Sequence, residues 1–157
     1  MDWSTWIPRE FATLCFIRKD GELLLIRKKR GLGAGKINAP GGKIERGESA
    51  LESAIRETRE EIGVVPIAPR QCGELHFQFA DGYSLHCTVF CAAGCEGNPI
   101  ETAEAAPFWV DADAVPYTEM WEDDRHWLPL MLEGKRFTGY FTFDGETMTT
   151  RELRINP

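Results

Sequence analysis

Apolar residues run almost unbroken through Phe11–Ile17 (FATLCFI) and Glu22–Ile26 (ELLLI), and both stretches read as strands buried on both faces. Lys19-Asp20-Gly21 between them is a tight hairpin signal. The Asp-Gly pair recurs at Asp81-Gly82, between strands over Glu74–Phe79 and Tyr83–Cys91, and at Asp144-Gly145, between Phe137–Phe143 and Thr147–Ile155. Phe108–Val110 reads as a short strand, and Val64–Arg70, broken by Pro66 and Pro69, as a connection or edge segment. Helical periodicity enters at Ala50–Ile62. Ser49 is a good N-cap, Glu52 completes a capping box, and Gly63 is a natural stop. On a wheel of about 100° per residue, Leu51, Ala54, Ile55, Thr58 and Ile62 form the core-facing side. Glu57, Glu60 and Glu61 fall on the far side, within an arc of about 100°. A second, shorter helix follows Met120-Trp121-Glu122-Asp123-Asp124. Pro129 suits its first turn, Gly134 ends it, and Asp123 and Asp124 lie near its positive end. Two helices and about seven strands predict an α/β/α sandwich in one domain spanning 1–157, with a mixed sheet between the helices.

Composition narrows the class. The net charge of −7 argues against a general nucleic-acid binder, which needs a basic face. No apolar run reaches the length of a membrane span, and MDWSTWIPRE has no signal-peptide pattern. Five cysteines without CxxC spacing fit thiols in a reducing cytoplasm, with Cys87, Cys91 and Cys95 as buried thiols rather than a zinc site. His76 and His86 read as structural residues of their strands.

The acidic helix face carries the candidate chemistry. Carboxylates at i, i+3 and i+4 repel one another, and a hard divalent cation such as Mg²⁺ removes that cost. On periodicity alone the face reads as solvated surface. Glycines crowd Gly31–Lys43 (GLGAGKINAPGGK), but neither Gly-Lys is followed by Ser or Thr and no helix opens there. A phosphate-binding P-loop and a dinucleotide fingerprint are both excluded, leaving a loop that passes close to a ligand. Arg27–Arg30 (RKKR) forms a basic patch beside it.

Spacing adds a family resemblance. Gly42, five residues, Glu48, seven residues, then Arg56-Glu57-Thr58-Arg59-Glu60-Glu61-Ile62-Gly63-Val64 resembles the Nudix box, G-x5-E-x7-R-E-U-x-E-E-x-G-U. Every fixed position matches, with Thr58 a mild departure at an aliphatic position. The resemblance implies the Nudix α/β/α sandwich and hydrolysis of a nucleoside diphosphate linked to another group, with Mg²⁺ or Mn²⁺ as cofactor. The stretches KKRGLGAGKINAPGGK, MWEDD, WLPL and FTGYF are further similar to the MutT-related branch that acts on oxidised purine nucleoside triphosphates. That branch converts 8-oxo-dGTP, and often 2-oxo-dATP, to the monophosphate and pyrophosphate. The resemblance implies metal ligation by Glu57, Glu60, Glu61, the Gly41 carbonyl and Glu104. It implies base reading by Asn38, Trp121, Asp123 and Asp124, and a nucleotide pocket lined by Thr13, Lys28, Gly41, Gly42, Lys43 and Phe77. Leu32, Ile37, Pro40, Leu85 and Ala105 depart from the branch's usual residues and leave the base preference open.

Within that frame, Arg56 lies one turn before Glu60 and can orient it. Glu61 or Glu104 would deprotonate the attacking water. Trp121 offers an apolar plate to a purine, and Asn38 an amide edge. The partner implied is a small-molecule nucleotide bound to a monomer, with no direct nucleic acid and no membrane. Two alternatives stay open. One is a Nudix enzyme acting on ADP-ribose, a dinucleoside polyphosphate or a methylated purine triphosphate. The other is a binding module without catalysis, against which the intact carboxylate set argues.

Overall fold

The computed structural model describes all 157 residues. In chain order they form β1 (Glu10–Lys19), β2 (Glu22–Lys28), β3 (Ile37–Asn38), β4 (Gly41–Lys43), α1 (Ala50–Ile62), β5 (Val65–Pro66), β6 (Arg70–Phe79) and β7 (Ser84–Ala92). Then come β8 (Cys95–Glu96), β9 (Ala105–Asp111), a 3₁₀ turn at Tyr117–Glu119, α2 (Asp124–Leu132), β10 (Arg136–Asp144) and β11 (Thr147–Asn156). Nine strands make one sheet in the order β11-β10-β6-β7-β1-β2-β3, with β4 also paired to β1 and β9 to β2; β5 and β8 pair separately. The sheet is mixed because β1–β7 and β6–β10 run parallel while its other pairs are antiparallel. No helix is long and apolar enough to cross a membrane.

The unbroken apolar runs are explained by two cores. Along β1 and β2, Cys15, Ile17, Leu24 and Ile26 join Ala54 and Ile62 of α1, whereas Phe16, Leu23 and Leu25 join Trp127 and Leu128 of α2. Alternate residues thus serve opposite faces of the sheet, which is why polar positions drop out.

The first helix has the expected limits and both halves of its capping box, and Gly63 ends it with φ 75°. Its buried stripe is rotated from the expected one. Leu51 is exposed, while Ser53 and Glu61 are buried with Ala54, Thr58 and Ile62. The rotation follows from α1 packing on β4 as well as β1, which turns Glu61 inward rather than to the solvent side. The second helix also differs. It begins at Asp124, so Pro129 is interior to it rather than in its first turn. The glycine-rich segment is part loop and part sheet, since β3 and β4 form within it, and the strand over Phe108–Val110 extends to Ala105–Asp111 along β2. All three Asp-Gly hairpins are present.

The cysteines correct one expectation. Cys72 and Cys91 are a disulfide, with Cα atoms 6.3 Å apart, so Cys91 is not a free thiol. A register irregularity between Gln71 and Gly73 brings Cys72 beside Cys91 of the neighbouring strand. Cys15 and Cys87 are buried free thiols, and Cys95 is half-buried.

Candidate active site

Glu57 and Glu61, one turn apart on α1, meet Glu104 from the segment just before β9; one oxygen of each lies within 4.8 Å of the others. The long-range partner is held by the chain around it. Ile100 N–H donates to Ile62 O at 2.9 Å, Thr102 Oγ1 donates to Glu61 O at 2.6 Å, and Glu104 N–H donates to Thr102 Oγ1 at 3.2 Å. The segment is therefore tied to the C-terminal end of α1.

Gly42 makes room for the cluster. A Cβ there would stand 2.6 Å from Glu57 Oε2, and one on Gly41 would collide with the Thr13 carbonyl of the paired strand. Burial pushes the Glu61 carboxyl up to about 8, with Glu57 adding repulsion and Lys28 drawing it down. Glu57 is also raised, again chiefly by burial. An all-oxygen donor set that repels itself fits a hard divalent cation, so Glu57, Glu61 and Glu104 could hold one.

Glu60 is not in this cluster. Its side chain is 54% exposed and pairs with Arg56 Nη1 at 3.2 Å, the orientation by Arg56 that the sequence suggests. Arg56 also donates to Glu57 Oε1 at 2.8 Å and to Lys43 O at 3.1 Å, and grips Glu48 through Nε and Nη2. One guanidinium thus fixes α1, the glycine strand and Glu48 together.

The carboxylates line a polar hollow with Lys28, Arg30, Gly31, Gly41 and Gly42. A second, mostly apolar pocket shares Lys28, Gly41, Gly42 and Glu61 with it and continues inward past Thr13, Asn38, Phe77 and Trp121 to Asp123 and Asp124. These residues come from seven elements, β1 to β4, α1, β6 and α2, and from the loop before α2. Lys43 does not join them, because its Nζ pairs with Glu10 at 2.7 Å on the surface. The basic patch is divided in the same way. Arg27 pairs with Glu119, Lys29 with Glu101 and Arg30 with Glu104, and Lys28 alone of the four lines the inner pocket.

Asp123 and Asp124 are buried at the pocket floor. Trp127 Nε1–H donates to Asp123 Oδ2 at 2.8 Å, while Asp124 Oδ2 has no partner. Burial pushes Asp123 up to about 6 and Asp124 well above its ordinary value, where the charge of Asp123 adds to the effect. Neither side chain caps α2. Asn38 Oδ1 accepts from the Ala39 N–H at 2.8 Å, which leaves its amide donors for the pocket. Trp121 stands edge-on to Phe79 and Phe143, with Lys36 Nζ 5.2 Å from its ring centroid. Gly33, with φ 80°, approaches so closely that a Cβ would be 2.7 Å from Trp121 Nε1, so the glycine loop does run beside the pocket.

Phe79, Phe143 and Trp127 line the pocket without having been singled out in the sequence. Period-two alternation in Glu74–Phe79 places Phe79 on the side of Phe77 and could have found it. Trp127 is fully buried as well as bonded to Asp123.

The fold and the paired hollows define a Nudix hydrolase. The NUDIX domain family matches residues 8–131, and the chain belongs to that family. It is 43% identical over 137 residues to the oxidized purine nucleoside triphosphate hydrolase of Danio rerio, covering 87% of this chain and 88% of the relative. It is 37% identical over 144 residues to the mouse (Mus musculus) protein of the same name, covering 90% and 92%. The crystal structure of a MutT protein from Bacillus halodurans superposes with a TM-score of 0.82 at 28% identity, covering 92% of this chain and 97% of that one.

Proposed function

We propose that this chain hydrolyses oxidised purine nucleoside triphosphates, 8-oxo-dGTP first and 2-oxo-dATP with it, to the monophosphate and pyrophosphate. The observation that carries the reading is the buried Asp123–Asp124 pair at the floor of an aromatic pocket that opens through Gly41, Gly42 and Glu61 onto the carboxylate hollow. A base bound at the pair would lay its triphosphate across the carboxylates. The naming of both vertebrate relatives agrees with this substrate class.

Glu57, Glu61, Glu104 and the Gly41 carbonyl would hold the divalent metal that Nudix hydrolases use, Mg²⁺ first and Mn²⁺ as a substitute. When bound, the cation supplies charge neutralisation and a lower pKa for water. Every other role falls to the chain. Lys28 stands between the hollows and offsets phosphate charge. Arg56 fixes Glu57 and Glu60. Glu61 or Glu104 takes the proton of the attacking water. Trp121 and Phe77 hold the purine, and Asn38, Asp123 and Asp124 read its edge. Thr13 and Gly42 shape the passage between base and phosphates. The enzyme acts as a single domain and a monomer on a free nucleotide, without nucleic acid.

A panel of 8-oxo-dGTP, 2-oxo-dATP, dGTP, a methylated purine triphosphate, ADP-ribose and a dinucleoside polyphosphate, assayed with Mg²⁺, tests the reading. The expected result is the highest kcat/KM on an oxidised purine triphosphate. A higher value on ADP-ribose, the polyphosphate or the methylated nucleotide would overturn the substrate assignment. Binding without turnover on the whole panel would overturn the enzyme reading.

A further inference from the structure

β6 and β7 pair His76 with His86 as direct cross-strand neighbours, and Glu74, two residues before His76, shares their face. One potential ligand atom from each lies within 4.8 Å of the other two. Their chain neighbours Leu75, Phe77, Leu85 and Cys87 line the nucleotide pocket from the opposite face of the same strands. We propose that Glu74, His76 and His86 form a second metal site, for a borderline divalent transition-metal ion of the Zn²⁺ type, on the face of the sheet opposite the nucleotide pocket.

The tautomer of His76 is set for this role. Its Nδ1 lies 2.9 Å from the Gly139 carbonyl, which can only accept, so Nδ1 carries the proton and Nε2 keeps its lone pair. A backbone carbonyl behind the ring is the usual support of a metal-binding imidazole. The ring is also held in place. It stacks on Tyr140 with centroids 4.4 Å apart, and the indoles of Trp6 and Trp3 pack edge-on at 5.5 and 6.3 Å. His86, its centroid 4.9 Å from that of His76, has an Nδ1 that is buried and without a partner.

The donor set decides the ion. Two imidazoles and one carboxylate suit Zn²⁺ or Co²⁺, whereas Mg²⁺ prefers the oxygen ligands of the catalytic hollow. Tetrahedral ligation at Zn²⁺ bond lengths puts donor atoms roughly 3.4 Å apart, so the three side chains need only a small closure. Three protein ligands leave one position for water. The bound ion would clamp β6 to β7 behind the pocket wall and touch no residue of the hydrolytic site.

The test is titration of metal-stripped protein with ZnCl₂ in excess Mg²⁺, by calorimetry and thermal melting. It uses the wild type, Glu61→Gln to disable the catalytic hollow, and His76→Gln, His86→Gln and Glu74→Gln. The wild type and Glu61→Gln should each bind one Zn²⁺ at micromolar Kd or tighter, with a raised Tm. Each histidine variant should bind at least tenfold more weakly and lose the Tm rise, while Mg²⁺-dependent hydrolysis stays at the wild-type rate. Co²⁺ in place of Zn²⁺ should give visible d–d absorption that both histidine variants abolish. Zn²⁺ affinity unchanged in the histidine variants, with the free thiols of Cys15, Cys87 and Cys95 intact, would overturn the site. So would absence of Zn²⁺ binding by the wild type. If His76→Gln fails to fold because it loses its seat on Tyr140, His86→Gln and Glu74→Gln carry the decision.

Discussion

Arg56 holds Glu48 with two parallel bonds, Nε to Oε2 at 2.7 Å and Nη2 to Oε1 at 2.9 Å. The guanidinium pulls the Glu48 carboxyl down to about 2, so the pair stays charged through the neutral range. This pairing explains the seven-residue interval between the two in the motif. Glu48 lies just before the α1 N-cap and Arg56 two turns into the helix, so the side chain folds back over the first turn. The remaining guanidinium donors reach Glu57 and the Lys43 carbonyl.

Arg56→Lys should therefore lose activity far more than stability. A lysine ammonium cannot form the planar fork and reach Glu57 and Lys43 O together. A roughly 10- to 100-fold fall in kcat/KM is expected, as for other residues that orient metal ligands. Steady-state kinetics over a range of Mg²⁺ concentrations should show the apparent metal requirement rising. Unchanged kinetics would mean that Arg56 serves only the fold.

Glu61→Gln removes a carboxylate that burial already disfavours, at nearly constant volume. The variant should fold with an unchanged or higher Tm and lose at least about 100-fold in kcat, a loss typical of removing a general base or metal ligand. Circular dichroism with a discontinuous activity assay separates the two effects. Exhaustive chelation of the wild type should abolish hydrolysis, and added Mg²⁺ should restore it. Full turnover after chelation would refute the metal assignment.

Gly42→Ala tests the close approach of β4 to α1. The added methyl would meet the Glu57 carboxylate, which can move only by leaving Arg56 and the cluster. The overpacking should cost about 1–3 kcal/mol by denaturant unfolding. Activity should fall by more than that loss of folded protein explains, since Glu57 itself is displaced.

The sequence carried the scaffold of this site better than its closure. Every Asp-Gly hairpin, the limits of α1 and its capping box were legible because they depend on neighbours within four residues. The rotation of α1 was not, because it depends on β4 packing beside it and so reverses the expected exposure of Leu51 and Glu61. Glu104 could be reached only through resemblance, as its place depends on bonds from Thr102 and Ile100 to the end of α1. Lys43 and Glu60 look alike in sequence to Lys28 and Glu57, yet ion pairs with Glu10 and Arg56 hold them outside the pockets. The disulfide and the Glu74–His76–His86 group both follow from β6–β7 register, which local pattern does not give.

The last prediction concerns the acidic pair. Asp123 and Asp124 are both buried, and Asp123 already accepts a bond from Trp127. Near neutral pH the pair should hold one proton, mostly on Asp124, the carboxyl with no partner for its Oδ2. A protonated acid donates and its ionised neighbour accepts, which suits the altered edge of an oxidised purine. The stability sign follows from the raised values. The pair's contribution is fully present below the unfolded value of 3.8; the part from Asp123 is lost as pH rises through about 6, and the part from Asp124 is lost only at higher pH. Stability of the wild type should thus fall between pH 4 and pH 8 more steeply than that of Asp124→Asn, which cannot ionise there. Denaturant unfolding across that range measures the difference. Asp123→Asn keeps an oxygen for Trp127 but loses the anion, and Asp124→Asn keeps a donor but cannot exchange roles. Each should change the 8-oxo-dGTP to 2-oxo-dATP preference, with a loss of about 1–3 kcal/mol on the disfavoured substrate, roughly 5- to 150-fold in kcat/KM. If both variants keep the wild-type ratio, the pair serves only to seat Trp127, and the base is read elsewhere.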